Sequence, residues 1–301
     1  MNQSFDTMKS KTLIRFDWAM KRLLRNKANF GVLEGFLSEL FGQDIKIQKI
    51  LESESNMEDP TDKFNRVDLL AENQKGEMLI IEVQNQDELD YFHRMAYGTS
   101  KIITEYLDLG QAYENLKKVY SVNIVYFDLG QGEDYIYKGT TDFWGLHKKD
   151  KLMLSDKQKF KYTHSEPGQI FPEYYLLKVN QFDDTAENSL DEWIYYFKNN
   201  EIPDSFQAKG LDKARKILKY DKLSESEKAT YKRHIENLRY KASMISTLKS
   251  KAEFEIYKKG KKEVEQKIAT KLIEKGMDIE AVSEITGLPP EAIQKIINEK
   301  K

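Results

Sequence analysis

Asp68, in Arg66-Val67-Asp68-Leu69-Leu70, and the pair Glu82 and Gln84, in Ile80-Ile81-Glu82-Val83-Gln84, are polar groups set into apolar runs. Side chains alternate along a strand, so Glu82 and Gln84 share one face while Ile81 and Val83 take the other. The interval from Asp68 to Glu82 accommodates a strand, the turn Asn73-Gln74-Lys75-Gly76 and a returning strand, which brings the two carboxylates together. Carboxylates that close repel one another unless a cation neutralises them, and Mg²⁺ takes oxygen ligands together with retained waters. A metal held in this way polarises a phosphate, lowers the pKa of a bound water and shields a departing oxygen, so phosphodiester hydrolysis is the chemistry the pair suits. The plain alternative is a solvated strand edge. Against it stands the cost of an unpaired carboxylate inside Leu79-Ile80-Ile81-Glu82-Val83.

The elements that must position this pair follow from periodicity. FDWAMKRLLRNKANFGVLEGFLSELFG carries apolar residues at helical spacing and ends at Gly42, which predicts one or two helices. DIKIQKIL, RVDLLAEN and EMLIIEVQ read as three strands, the last two a hairpin. Between Asp87 and Leu116, Phe92, Met95, Ala96, Ile102, Ile103, Tyr106 and Leu109 repeat near a 3.6 period, a helix that stops around Gly110 and packs on the sheet. YSVNIVYF is a buried strand, and DYIYKG and YYLLKVNQF supply others.

From Ser189 the strand signals vanish, and DEWIYYF, LDKARKIL and the long stretch from Glu225 to Glu274 read as helices, with Gly260 as the breaker inside the last. In the closing KGMDIEAVSEITGLPPEAIQKIINEKK, Gly276 stops one helix and Asp278 caps the next; Thr286-Gly287 turns, and Pro289-Pro290 opens a last helix, a helix-turn-helix shape. The expected organisation is a core over 1–205, a helical extension over 206–275 and a helix-turn-helix-like tail over 276–301.

Composition narrows the chemistry. The 301 residues include no cysteine, which excludes disulfides and thiolate metal sites. His93, His147, His164 and His234 lack the i, i+3 or i+4 spacing of a zinc helix, so carboxylates are the favoured ligands. No run approaches the roughly 20 apolar residues of a membrane span, and the amino terminus lacks an apolar leader; the cytoplasm is the expected compartment, with no membrane partner. The net charge of −2 divides into about −10 over 1–205 and about +8 over 206–301. A phosphate-binding surface on the front half must therefore be local, with Lys9, Lys11, Arg15, Lys21, Arg22, Arg25 and Lys27 as its main cluster. In the rear half Lys213, Arg215, Lys216, Lys219, Lys232, Arg233, Arg239 and Lys241 either contact DNA phosphates or solvate a helical bundle. Leu238, Ile245, Leu248, Ile256, Val264, Ile268 and Leu272 form a loose apolar stripe, which makes a homodimer through the carboxyl-terminal helices the competing reading.

The succession FDWAMKRLL, FLSELFG, RVDLLAENQKGEMLIIEVQ, FHRMAYGTSKII and GQAYENLKKVYSVNIVYF resembles the Rpn family of recombination-promoting nucleases and transposases, within the PD-(D/E)XK superfamily. It spans roughly residues 12–200, and IATKLIEKGMDIEAVSEITGLPPEAIQKI is similar to the short helical tail of many members. The resemblance implies an α/β restriction-endonuclease-like core, a mixed central sheet flanked by helices, with an all-α carboxyl-terminal extension. It implies a metal-dependent DNA endonuclease using Mg²⁺, with Mn²⁺ as a substitute, and DNA as the partner. Asp68 matches the metal-binding aspartate and Glu82 the second acid, while Gln84 stands where the superfamily usually has lysine. Glutamine orients a water by hydrogen bonding but brings no charge. A migrated lysine, Lys21 or Lys101, compensates in one reading; in the other, the chain is a catalytically weakened DNA-binding or recombination accessory protein that keeps the fold.

Asp17 and Lys21, at i, i+4, resemble a polar pair that recurs in the family, or are a surface ion pair. Glu34 or Glu39 is a candidate for an additional acid directed at the metal. Arg94 and Tyr97, at i, i+3, share a face of the helix that flanks the site in the family; Arg94 then binds a phosphate that Tyr97 orients, or pairs structurally with a carboxylate. Nothing in the chain supplies a domain for recognising transposon ends, so "transposase" is a family label here.

Overall fold

The computed structural model describes residues 13–51, 68–107, 111–162 and 164–299. Lys9, Lys11, Leu109 and Gly110, used above, lie outside them. The chain forms two compact units, Met1–Lys228 and Ala229–Lys301.

The first helical stretch divides in two, α1 (Phe16–Arg22) and α2 (Phe30–Phe41), with a 3₁₀ turn at Lys27–Asn29 between them. The break has a local cause. The Asn26 side chain accepts from Ala28 N at 3.0 Å and Asn29 Nδ2 donates to Leu23 O at 2.8 Å, so polar side chains take over from the helical ladder. Gly42 ends α2 in the left-handed region, at φ 64°. Gly35 is required for a different reason: a Cβ there would collide with the Lys209 carbonyl.

A six-stranded mixed sheet follows, from β1 (Ile47–Leu51), β2 (Leu69–Asn73), β3 (Met78–Gln84), β4 (Val119–Val125), β5 (Ile136–Gly139) and β6 (Glu173–Lys178), in the order β1-β2-β3-β4-β6-β5. β2 and β3 are the expected hairpin; β4 lies parallel to β3 and to β6. The hairpin turn is fixed by Asn73, whose Oδ1 accepts from Lys75 N at 2.9 Å and Glu77 N at 3.0 Å, while Gly76 takes φ 76°.

Between β3 and β4 runs α3 (Tyr91–Glu105), the crossover that a parallel pair requires. Its Ile102 packs with Met78 and Ile80 of β3, and its Tyr91 with Val125 and Leu176, so the face of β3 that carries Met78, Ile80, Glu82 and Gln84 is the α3 face. On the other face Phe41 meets the rings of Tyr120 and Tyr175 at 5.0 and 4.9 Å. α1 and α2 join α5 (Ser189–Asn199) in an aromatic cluster of Phe16, Phe36, Trp193, Tyr196 and Phe197. Leu211, Ala214 and Leu218, in and just after α6 (Leu211–Ile217), are buried, and Ile14 N donates to Leu218 O at 2.8 Å. The first unit therefore extends past residue 205, to Lys228.

One helix had no apolar period to announce it. α4 (Asp156–Tyr162) is polar, and its signal is the capping box Ser155-x-x-Gln158, in which Ser155 N donates to Gln158 Oε1 at 3.0 Å and Gln158 N to Ser155 Oγ at 3.4 Å.

The second unit contains most of α7 (Glu225–Glu274), which continues through Gly260, then α8 (Ile279–Thr286) and α9 (Pro290–Glu299). Asp278 caps α8 by accepting from Ala281 N at 2.8 Å. Ala269, Val282, Leu288 and Ile293 form a small core that ties α8 and α9 to the end of α7. No helix among the described residues is long and apolar enough to cross a membrane. This is the α/β core with an all-α carboxyl-terminal region that the resemblance implied.

Candidate active site

The hairpin register pairs Leu69 with Ile81, which sets Asp68 opposite Glu82. Asp68 is held at three points. Its Oδ2 accepts from Val83 N at 2.8 Å, its Oδ1 lies 2.7 Å from Lys21 Nζ, and its backbone carbonyl accepts from Arg25 Nη2 at 2.8 Å. Two strands and α1 thereby fix one carboxylate.

Glu82 is 9% exposed and lies on the α3 face. Arg94 Nη2 of α3 is 3.5 Å from Glu82 Oε2, while Arg94 Nη1 lies 3.0 and 3.2 Å from the two oxygens of Glu88. Gln84 Nε2 donates to Glu88 Oε1 as well. Beneath Glu82 a cavity of about 20 Å³, lined by Tyr91, Thr99, Ser121 and Asn123 among others, has room for about one water. Tyr91 donates its hydroxyl to Asn123 Oδ1 at 3.1 Å.

Burial, and then the neighbouring charge of Asp68, push the Glu82 carboxyl up to about 8, although Arg94 and Lys21 pull the other way. Burial also lowers the affinity of Arg94 for its proton, but Glu82 and Glu88 outweigh it and hold the guanidinium above its ordinary value. Tyr91 is raised by burial and by Glu82. Glu82 is thus under-neutralised: one guanidinium shared with Glu88 does not offset both desolvation and Asp68.

The other candidates separate. Lys21 reaches Asp68, but the i, i+4 pair with Asp17 does not form. Asp17 is buried and accepts from Trp18 N at 2.8 Å, Asn85 Nδ2 at 2.9 Å and Arg15 Nε at 3.2 Å, so its nearer partners are on its own chain start and at the end of β3. Lys101 is not brought to the site: it lies two turns along α3 from Arg94, with its ammonium 3.5 Å from Glu105. Tyr97 is on α3 and exposed. Neither Glu34 nor Glu39 joins the pair. Glu34 accepts from Ile47 N, the first residue of β1, at 3.0 Å, and Glu39 from Lys209 N, ahead of α6, at 3.0 Å. Glu88 was not singled out from the sequence. Its only signal is its position four residues after Gln84, in a loop leading into a helix that carries Arg94.

A divalent cation fits the donor set. Asp68 and Glu82 present hard oxygen donors, and at Glu82 burial and the charge of Asp68 outweigh the opposing pull of Arg94 and Lys21. Among the described residues no group of three or more His, Cys, Asp or Glu is gathered for a metal, so such an ion would draw its remaining ligands from water and substrate, as Mg²⁺ does.

Neither a curated protein nor a solved structure matches the chain. The family model described as "PD-(D/E)XK nuclease family transposase" matches residues 14–248, which hold the whole sheet, the Asp68–Glu82 pair and the first half of α7. On that match and this fold, the chain belongs to the PD-(D/E)XK nuclease family transposases.

Proposed function

We propose that the protein is a Mg²⁺-dependent DNA endonuclease, with Mn²⁺ as a working substitute, whose reaction centre is Asp68 and Glu82. The observation that carries this reading is a buried glutamate beside a second carboxylate, raised to about 8 by burial and then by the charge of Asp68, which Arg94 and Lys21 do not offset. The metal, when bound, supplies Lewis-acid polarisation of the phosphate and activation of a water. Asp68 and Glu82 hold it. Lys21, 2.7 Å from Asp68, brings the positive charge that Gln84 lacks and stands ready for a phosphate oxygen or the attacking water. Gln84 orients a water through its amide. Arg94 balances Glu82 and Glu88 in the absence of metal and is then available to the scissile or an adjacent phosphate, with Tyr97 exposed one turn further on.

Incubation of supercoiled plasmid with the protein tests this. Nicking or linearisation is expected with Mg²⁺ or Mn²⁺, none with chelator, and none with Asp68→Ala or Glu82→Ala proteins that keep their helical and near-ultraviolet spectra. Wild-type rates in both variants would remove the site.

A second reading is favoured by one observation: the Gln84 amide is engaged by Glu88 rather than left for a water. Under it the chain is a DNA-binding or recombination accessory protein with little cleavage. Metal-independent DNA binding without nicking selects it. We also propose a core, a helical extension and a helix-turn-helix-like tail as the working organisation. In the extension, exposed Leu248, Ile256 and Val264 on α7 support a homodimer, which light scattering measures.

A further inference from the structure

We propose that the excursion between β5 and β6, over residues 143–162, is a second nucleic-acid surface that binds a single strand, stacking bases on Trp144 and Phe160 and holding phosphates with Lys148, Lys149 and Lys157. It goes beyond the cleavage reading, because it is a binding site away from Asp68 and Glu82.

The excursion is an ordered piece of the first unit. Trp144 and Lys151 form a β-bridge, Gly145 N donates to Asp150 O at 2.8 Å and Leu152 N to Phe143 O at 2.9 Å, so residues 143–152 make a small hairpin. Leu154 is buried, and its N donates to Ser165 O at 3.1 Å, which closes the loop that contains α4. Lys161 pairs with Glu114 and Lys118 Nζ donates to Phe171 O, which pins the piece to the turn before β4.

Its place in the sheet separates it from the catalytic pair. Gly139 and Tyr174 pair where β6 begins, so the excursion leaves and rejoins at the end where β3 and β4 also begin. Glu82 lies four residues further along β3, about 13 Å of strand.

The chemistry of the surface is specific in two ways. Over 143–162 there are six lysines against two aspartates, within a front half that carries about −10 overall. Lys148, Lys149 and Lys157 are exposed, and no acidic partner among the described residues engages them. Trp144 is 61% and Phe160 92% exposed, where the other two tryptophans, Trp18 and Trp193, are 4% and 0%. Exposed rings within four residues of exposed lysines supply what a single-strand surface needs, since every base has a π-face and each phosphate a charge. A duplex hides its base faces and would leave Phe160 without use. A purely apolar protein partner would not call for the lysines.

The test uses the full chain in chelator, so that nothing is cut. Oligothymidylate of about 20 nucleotides is titrated while tryptophan emission and the anisotropy of the labelled strand are followed. Saturable quenching is expected, because Trp144 is the exposed fluorophore. Trp144→Phe should abolish the quenching yet retain most of the binding. Phe160→Ala should weaken binding about tenfold. Lys148→Glu/Lys149→Glu/Lys157→Glu, with an unchanged circular dichroism spectrum, should weaken it further and reduce the salt slope by about 2. Absent binding, affinity unchanged in the charge-reversed protein, or duplex binding as tight and as Lys148-dependent as single-strand binding would each overturn the proposal. The cleavage reading is judged separately: Asp68→Ala should bind the oligonucleotide as the wild type does while failing to nick plasmid, and a lysine-reversed protein that still nicks plasmid leaves that reading standing.

Discussion

Glu82→Gln removes an ionisable group without removing its volume, and the buried position makes the effect measurable. In the folded, metal-free protein burial and Asp68 raise the Glu82 carboxyl from an ordinary 4.5 to about 8. A folded value above the unfolded one means that the stability this group lends is fully present below about 4.5 and is lost as the pH rises towards about 8. Between pH 5 and pH 7.5 the slope approaches about 1.4 kcal/mol per pH unit, so the wild type should lose about 3 kcal/mol that Glu82→Gln does not. Urea unfolding in chelator at both pH values, followed by the fluorescence of Trp18 and Trp193, reports on the first unit, where both indoles are buried. The variant should match the wild type near pH 5 and exceed it by about 3 kcal/mol at pH 7.5. Millimolar Mg²⁺ should narrow the gap by stabilising the wild type more than the variant, because Glu82→Gln leaves Asp68 as the one charged ligand of the pair. Parallel losses in the two proteins across this range would show that Glu82 is an ordinary, solvated carboxylate and would take away the argument for a cation there.

Lys21→Ala should lower plasmid nicking about 10²-fold and Lys21→Arg less, with DNA affinity nearly unchanged, because the ammonium on Asp68 acts at the reacting phosphate; equal rates in all three proteins would return Lys21 to a surface role. Gln84→Lys should preserve or raise cleavage and Gln84→Ala lower it, and identical rates would make Gln84 a bystander. Arg94→Gln should tighten Mn²⁺ binding in titration calorimetry, since it frees Glu82 and Glu88 of a competing cation, while weakening DNA binding in Ca²⁺; loss of Mn²⁺ binding would contradict the competition. Truncation after Lys228, where the first unit ends, should reduce DNA affinity and flatten its salt dependence if the basic carboxyl-terminal helices contact phosphates. Unchanged affinity and slope in the folded truncation would assign those lysines to solvation or to a dimer.

The sequence by itself determined what lies within one element or between neighbours. The period-2 pattern of LIIEVQ placed Glu82 and Gln84 on one face, and Asn73 with Gly76 specified the turn that returns Asp68 to Glu82. The Gly42 and Asp278 boundaries were equally local, because caps depend on a few consecutive residues. Only the tertiary structure decided which charges meet. Asp17 and Lys21 have the spacing of a helix pair, yet Asp17 turns to Asn85 and Arg15, and Lys21 to Asp68, because the end of β3 and the start of β2 lie beside α1 in the fold. Lys101 was an equal candidate on paper, but it sits two turns too far along α3. Glu88 and the exposed rings of residues 143–162 carried no periodic signal at all, since their roles depend on what surrounds them and on what fails to cover them. Side-chain burial and long-range ion pairs are set by the packing of strands and helices distant in sequence, and a one-dimensional pattern records only the face a residue occupies, not the neighbour it will find there.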